Sequence, residues 1–459
     1  MRLSLISKIM KHYLPTLSIV AILVFGSATA SRAQSTAQES FKLAIACPQT
    51  DYDCQITNYT RGIELNAAVP QAYLNRGYAY RMKGDTDLAI ADFTKAIELK
   101  PDYALAYGNR SDAYNKKGNF DLALADVNKL IQLVPDNALA LNDRGYIYRR
   151  MGKKESALAD LDRSIQLFGN DPKAYLAYFN RGLLRCSQGC SDLAFVDYEK
   201  AIQLNPNFAE AYVERGSVYD LKHRFDLAMA DYNKALELKP NLPRAYNGRG
   251  WIYQQQGFYD RAIAEYTTAI RVDPTYATAY CNRGVAYAAI GEFDRAIADD
   301  TKALELDPNL NDGIYRSRAL AYFQKAENEN AYRDTVVYMK RNGLKGEEAP
   351  YGIMIGYLAL RKDGDAARAD AFLKSWLKVV KPADWSTQVL KYFDGQMNSD
   401  ELLALATDND KQTEAHAYIG EVLLAEGKRG EAFEHFNWVK NSGNKTFVEY
   451  TISMAELTR

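Results

Sequence analysis

Apolar and polar positions alternate along this chain on two superimposed periods. Within windows of about a dozen residues the apolar side chains recur every three or four positions, the mark of amphipathic helices. Over longer stretches the whole pattern returns every 34 residues, in units beginning at Pro70, Ala104, Ala138, Tyr175, Ala209, Pro243 and Ala277, with three extra residues near "FGNDPK". Each unit predicts two helices. Positions 4, 8 and 11 of a unit share one helical face, and positions 20, 24 and 27 form the facing stripe. Position 4 is Tyr73, Tyr107, Leu141, Tyr178, Tyr212, Tyr246 and Tyr280; position 20 is alanine in all seven units, Ala89, Ala123, Ala157, Ala194, Ala228, Ala262 and Ala296. Small residues at 8 and 20 let the paired helices approach, and aromatics at 4, 11 and 24 fill the space between units. Proline at position 32 (Pro101, Pro135, Pro206, Pro240, Pro274 and Pro308, the third unit departing) ends each second helix, because it cannot continue the backbone ladder. A single pair cannot bury its own faces, so neighbouring units must stack.

A charged residue interrupts this logic at position 7. Arg76, Arg110, Arg144, Arg181, Arg215, Arg249 and Arg283 each lie beside the buried stripe, where an arginine needs a partner. Position 23 of the second helix is acidic in every unit: Asp92, Asp126, Asp160, Asp197, Asp231, Glu265 and Asp299. In a hairpin turning near position 16, these two positions lie within reach of a long side chain. The expected result is a ladder of ion pairs tying the helices together, a structural role preferred over a repeated ligand site.

The period, the alanines, the tyrosines and the prolines together resemble the tetratricopeptide repeat (TPR) family over roughly two thirds of the chain. That resemblance implies an all-α, right-handed solenoid of helix-turn-helix repeats. Residues 34–69 read as a degenerate first unit or cap, residues 70–345 as the array of seven clear units and a degenerate eighth, and residues 346–459 as a further helical module. This module contains "SDELLALATD", a last repeat-like hairpin at 413–446 with Gly420, Gly427, Ala432 and Phe436 at the marker positions, and a capping helix in "TFVEYTISMAELTR". The ending is similar to that of secreted alphaproteobacterial TPR proteins and, more faintly, to NlpI-type periplasmic adaptors.

The first 33 residues differ in kind. Arg2, Lys8 and Lys11 precede an apolar run from Leu14 to Phe25, followed by "GSATASRAQ", which reads as a secretory signal peptide cleaved before Gln34. The run is short for a membrane span, so none is expected after cleavage. No cysteine stands at the cleavage point to carry a lipid. Removing this segment takes away Arg2, Lys8, Lys11 and Arg32 and no acid, moving the formal charge from -1 to -5. A net-acidic chain argues against general nucleic-acid binding.

Catalytic chemistry finds little support. The chain has no phosphate-cradling glycine loop, nucleophile elbow or His-Glu-x-x-His. Beyond the leader, His223 falls in an exposed turn, while His416 and His435 fall on the two helices of the last hairpin. A surface pair of Glu431 with His435 is preferred there over a metal site, since no third ligand is evident. No enzyme activity and no cofactor are expected. The cysteines suit export. Cys47 and Cys54 bracket the first interhelical turn and are expected to bond; Cys186 and Cys190 sit at the same turn of the fourth unit, as a second local disulfide or as two small turn residues.

In the TPR family the concave surface is lined by first-helix positions 2, 5, 9, 12 and 13. Carried onto this sequence, that places Tyr78, Arg81, Lys116, Tyr146, Arg149, Arg150, Phe179 and Trp251 in a groove. Position 9 is Tyr78, Asp112, Tyr146, Leu183, Ser217, Trp251 and Val285, which lacks the lysine and asparagine arrangement of chaperone-tail clamps. The resemblance therefore implies a periplasmic or secreted, non-catalytic scaffold holding an extended protein segment with acidic residues toward one end. The alternative is a receptor-like subunit for an anionic cell-envelope polymer.

Overall fold

The computed structural model describes residues 28–342, 349–378, 385–445 and 447–458. The leader assigned to residues 1–33 lies largely outside them. Among the described residues all regular structure is helical. The chain divides into two compact units that part after Glu214, within the helix Ala209–Leu221.

In the first unit, successive helical hairpins follow the expected register. The helices Pro70–Lys83 and Thr86–Leu99, Ala104–Lys116 and Phe120–Leu133, Ala138–Arg150 and Lys154–Phe168, and Tyr175–Ser187 and Ser191–Leu204 form the repeat pairs. Contact geometry explains the small residue at position 8. A Cβ on Gly77 would stand 2.8 Å from the Phe93 ring, and one on Gly182 would stand 2.5 Å from Tyr198. Phe93 and Tyr198, at position 24, are wholly buried. The bulk of each unit thus sits on the second helix, and the first helix yields space for it.

The arginine ladder is built as ion pairs at 2.8 Å for Arg76–Asp92, 2.7 Å for Arg110–Asp126, 2.6 Å for Arg144–Asp160 and 2.7 Å for Arg181–Asp197. Arg76, Arg110 and Arg144 grip the carboxylate through Nε and Nη2 together. Their free Nη1 then reaches backward, to position 25 of the preceding repeat: Arg76 to Thr60 at 3.0 Å, Arg110 to Thr94 at 3.0 Å, Arg144 to Asn128 at 2.9 Å and Arg181 to Asp162 at 2.6 Å. Each arginine therefore joins two repeats as well as two helices.

Before this array, helix Ala28–Ala46 packs on helix Tyr52–Leu65, and Cys47 is bonded to Cys54 across their turn with a Cα separation of 6.0 Å. The bond closes a short loop, so replacing both cysteines by serine should lower the stability of this hairpin by about 2.5 kcal/mol, read by denaturant titration of the two forms. Of the two alternatives open for Cys186 and Cys190, the structure shows the second, with no disulfide joining them. Cys186 is half-buried on its helix. The Cys190 N–H is tied to the Arg185 carbonyl at 3.0 Å, and its exposed sulfur turns toward the Gln188 carbonyl.

The second unit repeats the same construction through the pairs Pro243–Gln255 with Tyr259–Val272, Ala277–Ala289 with Phe293–Leu306, and Gly313–Gln324 with Asn328–Asn342. Its ladder comprises Arg215–Asp231 at 2.8 Å, Arg249–Glu265 at 2.6 Å, Arg283–Asp299 at 2.7 Å and Arg318–Asp334 at 2.6 Å. Again Nη1 reaches back, from Arg249 to Asn233, Arg283 to Thr267 and Arg318 to Thr301. The tight turn at position 15 requires a left-handed backbone, which glycine supplies at Gly257 and Gly291. His223 and Ala326 occupy the same position with φ of 54° and 59°. The turn's geometry overrides their preference.

One residue breaks the packing rule. Position 24 of the seventh repeat is Asp300, wholly buried where the other repeats place a ring or, at Val127 and Leu161, an aliphatic side chain, with Gly284 across from it. Neither carboxyl oxygen makes a hydrogen bond of ordinary geometry. Burial pushes its carboxyl up to about 8; the nearby Ser317 hydroxyl and Arg318 guanidinium oppose that rise, and Asp299 and Asp334 add to it.

Beyond these repeats a larger core gathers Ile353, Tyr357, Leu373, Leu390, Phe393 and Ile419. The last helix, Val448–Thr458, is held by buried polar contacts as well as by Ile452. Tyr418 donates to Glu449 at 2.7 Å, and Lys362 lies 2.7 Å from Glu421 and 2.8 Å from Glu456. Glu414 accepts from Trp385 Nε1 at 3.0 Å and Tyr351 at 3.2 Å; burial and the nearby Glu449 still push it up to about 7.

Candidate functional site

Positions 2, 5, 9, 12 and 13 of the first helices carry the candidate binding residues, and in the first unit several come together. Arg81 lies over the ring of Tyr78 at 5.1 Å, and Arg149 over that of Tyr146 at 5.2 Å. Such stacking holds a guanidinium in place through the ring's negative face; Arg81 is itself buried, with 6% of its side chain exposed, and Arg149 is half-buried. Arg150 is exposed, lies over Phe120 at 5.0 Å and donates from Nη1 to the Tyr146 hydroxyl at 3.1 Å. Lys116 is exposed near the end of its helix. Two basic-aromatic clusters result, one on helix Pro70–Lys83 and one on helix Ala138–Arg150.

Beneath them runs a polar network that the sequence reading did not single out. Arg81 Nη1 stands 3.3 Å from Asp112; Asn180 donates to Asn142 at 2.9 Å, and Asn142 donates to Asp143 at 3.2 Å. Burial raises both Asp112 and Asp143 above the usual carboxylate range, Asp143 further because Asp112 lies close by. Both causes favour the uncharged carboxyl, and at Asp112 the charge of Arg81 works against that rise. The clue available in the sequence was a run of polar residues at positions 5, 6 and 9 (Asn109, Asp112, Asn142, Asp143, Asn180) on a face otherwise aromatic.

Two expected residues stand apart. Phe179 is half-buried, set edge-on to Phe208 at 4.7 Å and tilted to Tyr198 at 6.0 Å, so much of its ring belongs to the core. Trp251, in the second unit, is 37% exposed. Arg76, Arg215 and Arg283 are spoken for by their ladder partners Asp92, Asp231 and Asp299. Among the described residues, no group of three or more His, Cys, Asp or Glu side chains is arranged to hold a metal ion. No described helix is long and apolar enough to cross a membrane.

Comparison with known families agrees with this construction. A model described as tetratricopeptide repeat matches residues 70–103, 175–208 and 277–310, and a second so described matches 109–175. A model described as TPR repeat matches 221–257 and 250–291. The chain belongs to the tetratricopeptide repeat family. Comparison with curated proteins gave no match. Among solved structures, this TPR chain is similar to pilF of Pseudomonas aeruginosa at 21% identity, with a TM-score of 0.42, over 50% of this chain and 100% of that one. It is similar to a tetratricopeptide repeat protein of Parabacteroides merdae at 23% identity and a TM-score of 0.42, over 55% and 98% of the two chains. YrrB, described as a TPR protein with an unusual peptide-binding site, is 24% identical with a TM-score of 0.31, over 41% and 95%.

Proposed function

We propose that this protein is a non-catalytic scaffold, working in the periplasm or outside the cell, which holds an extended protein segment on the first helices of its N-terminal unit. Tetratricopeptide repeats support the general role of protein-interaction scaffold. The observation that carries the finer reading is the cluster of Arg149 stacked on Tyr146 with exposed Arg150 bonded to the same tyrosine, together with buried Arg81 stacked on Tyr78. Arg150, exposed beside Tyr146, presents donors to a carboxylate, while the tyrosines offer apolar area at little entropic cost. An extended segment with acidic residues answers both features. The Cys47–Cys54 bond and the leader-like N-terminus support an exported setting.

Capture of partners from a periplasmic extract, with the mature chain as bait, tests this reading. Tyr146→Ala should weaken capture by about 2 kcal/mol with helical content unchanged by circular dichroism. Arg149→Glu combined with Arg150→Glu should slow association and flatten its salt dependence. Trp251→Ala tests whether the second unit contributes. Undiminished capture by all of these variants would move binding off this face, and the module from Ala349 onward would be tested next.

A further inference from the structure

The last hairpin holds a constellation unrelated to the first-helix face. Helix Asn409–Ala425 carries His416, and helix Arg429–Ser442 carries His435 and Trp438. Glu431 and Glu434 are exposed and act on His435 only through their charge, with no hydrogen bond to it. Instead the two imidazoles meet across the hairpin, Nδ1 to Nδ1 at 2.9 Å. His416 also lies flat on the Trp438 indole, with ring centroids 4.1 Å apart and planes 11° from parallel. Trp438 thus fixes the plane of one ring and the facing helix fixes the other.

Two nitrogens at this distance can share one proton, or both can turn their lone pairs on one cation. Around a tetrahedral zinc with bonds of about 2.0 to 2.1 Å, neighbouring nitrogens stand about 3.3 Å apart, so the hairpin would open by a few tenths of an ångström and the imidazoles would turn until both lone pairs meet on the ion. Glu431 and Glu434 lie on the same helix as His435 and are exposed. Those two exposed acids place negative charge beside His435, which compensates an incoming cation.

We propose that His416 and His435 form an open, two-nitrogen site for a divalent transition-metal ion, with water completing its coordination. Imidazole donors select zinc, nickel or copper over magnesium and calcium, which demand oxygen cages. With two protein ligands the site exchanges its ion readily, unlike a closed structural zinc site.

Untagged mature protein, stripped with chelator, provides the test. Calorimetric titration with zinc sulfate or nickel chloride should show one ion bound per chain, undisturbed by excess magnesium or calcium. Nickel should quench tryptophan emission, and Trp438→Phe should remove most of that quenching. His416→Gln and His435→Gln should each lower affinity by about tenfold or more, since each removes a direct ligand. X-ray absorption of the zinc-loaded wild type should show imidazole scattering, which requires no variant to fold. Absence of saturable uptake at sub-millimolar ion, uptake unchanged in both histidine variants, or a zinc environment without imidazole would each overturn the proposal and leave the pair as a neutral hydrogen bond.

Discussion

Asp300→Asn should stabilise the protein by about 3 to 5 kcal/mol at pH 8 and by little at pH 4. The sign follows from the direction of the shift. A carboxyl raised to about 8 in the folded chain, from 3.8 in the unfolded one, binds its proton more tightly when folded. Stability is therefore highest below the unfolded value and is lost as pH rises from about 4 toward 8, where folding must bury a charge. Asparagine keeps the shape and carries no charge at any pH, so the variant's stability curve should be flatter over that window. A slope will remain, because Glu414, pushed up to about 7, contributes in the same sense. Guanidinium denaturation of both proteins at several pH values makes the measurement. Equal stability of the two at pH 8 would show that Asp300 is solvated or paired.

Removing one member of the arginine ladder should be about equally severe in the opposite direction. Arg283→Ala leaves Asp299 as a carboxylate with only 9% of its side chain exposed and no cation beside it, which should cost about 3 kcal/mol or more. Asp299→Ala should be comparably damaging, and the double variant should recover part of the loss, because the surviving partner's burial cost disappears. Repeat arrays often unfold in parts, so hydrogen exchange in helix Phe293–Leu306 reads the local effect more cleanly than one global transition. Losses that simply add would mean that the two side chains do not stabilise each other.

The ladder was readable in the sequence because both partners recur at fixed positions and differ in charge. Gly77 and Phe93 were equally legible, since a small residue and a ring return together on the same period. The backward bond from Nη1 was not. Its acceptor changes among Thr60, Asn128 and Asp162, and only the stacking of one hairpin on the next brings it near. Asp300 was hidden by Asp299, its neighbour, which satisfied the acidic pattern and drew attention from the missing ring. His416 and His435 were noticed as members of one hairpin, yet helical periodicity gives no rotation between facing helices accurate enough to predict touching nitrogens. The binding face divides in the same way: Tyr146 and Arg149, three residues apart on one helix, could be paired by spacing, whereas the link from Arg81 to Asp112 crosses between repeats.

The backward-reaching Nη1 makes the repeats unequal neighbours. Within either compact unit, trimming from the N-terminal side strips a partly buried cation of its third hydrogen bond, whereas trimming from the C-terminal side orphans only the hydroxyl, amide or exposed carboxylate that accepted it. Erosion of the array should therefore be lopsided. Shortened forms that keep an early repeat and discard later ones should tolerate the loss better than those cut the other way, and a sequence that lengthens by duplicating a repeat can do so freely only where the copy before each new arginine brings a polar residue at position 25.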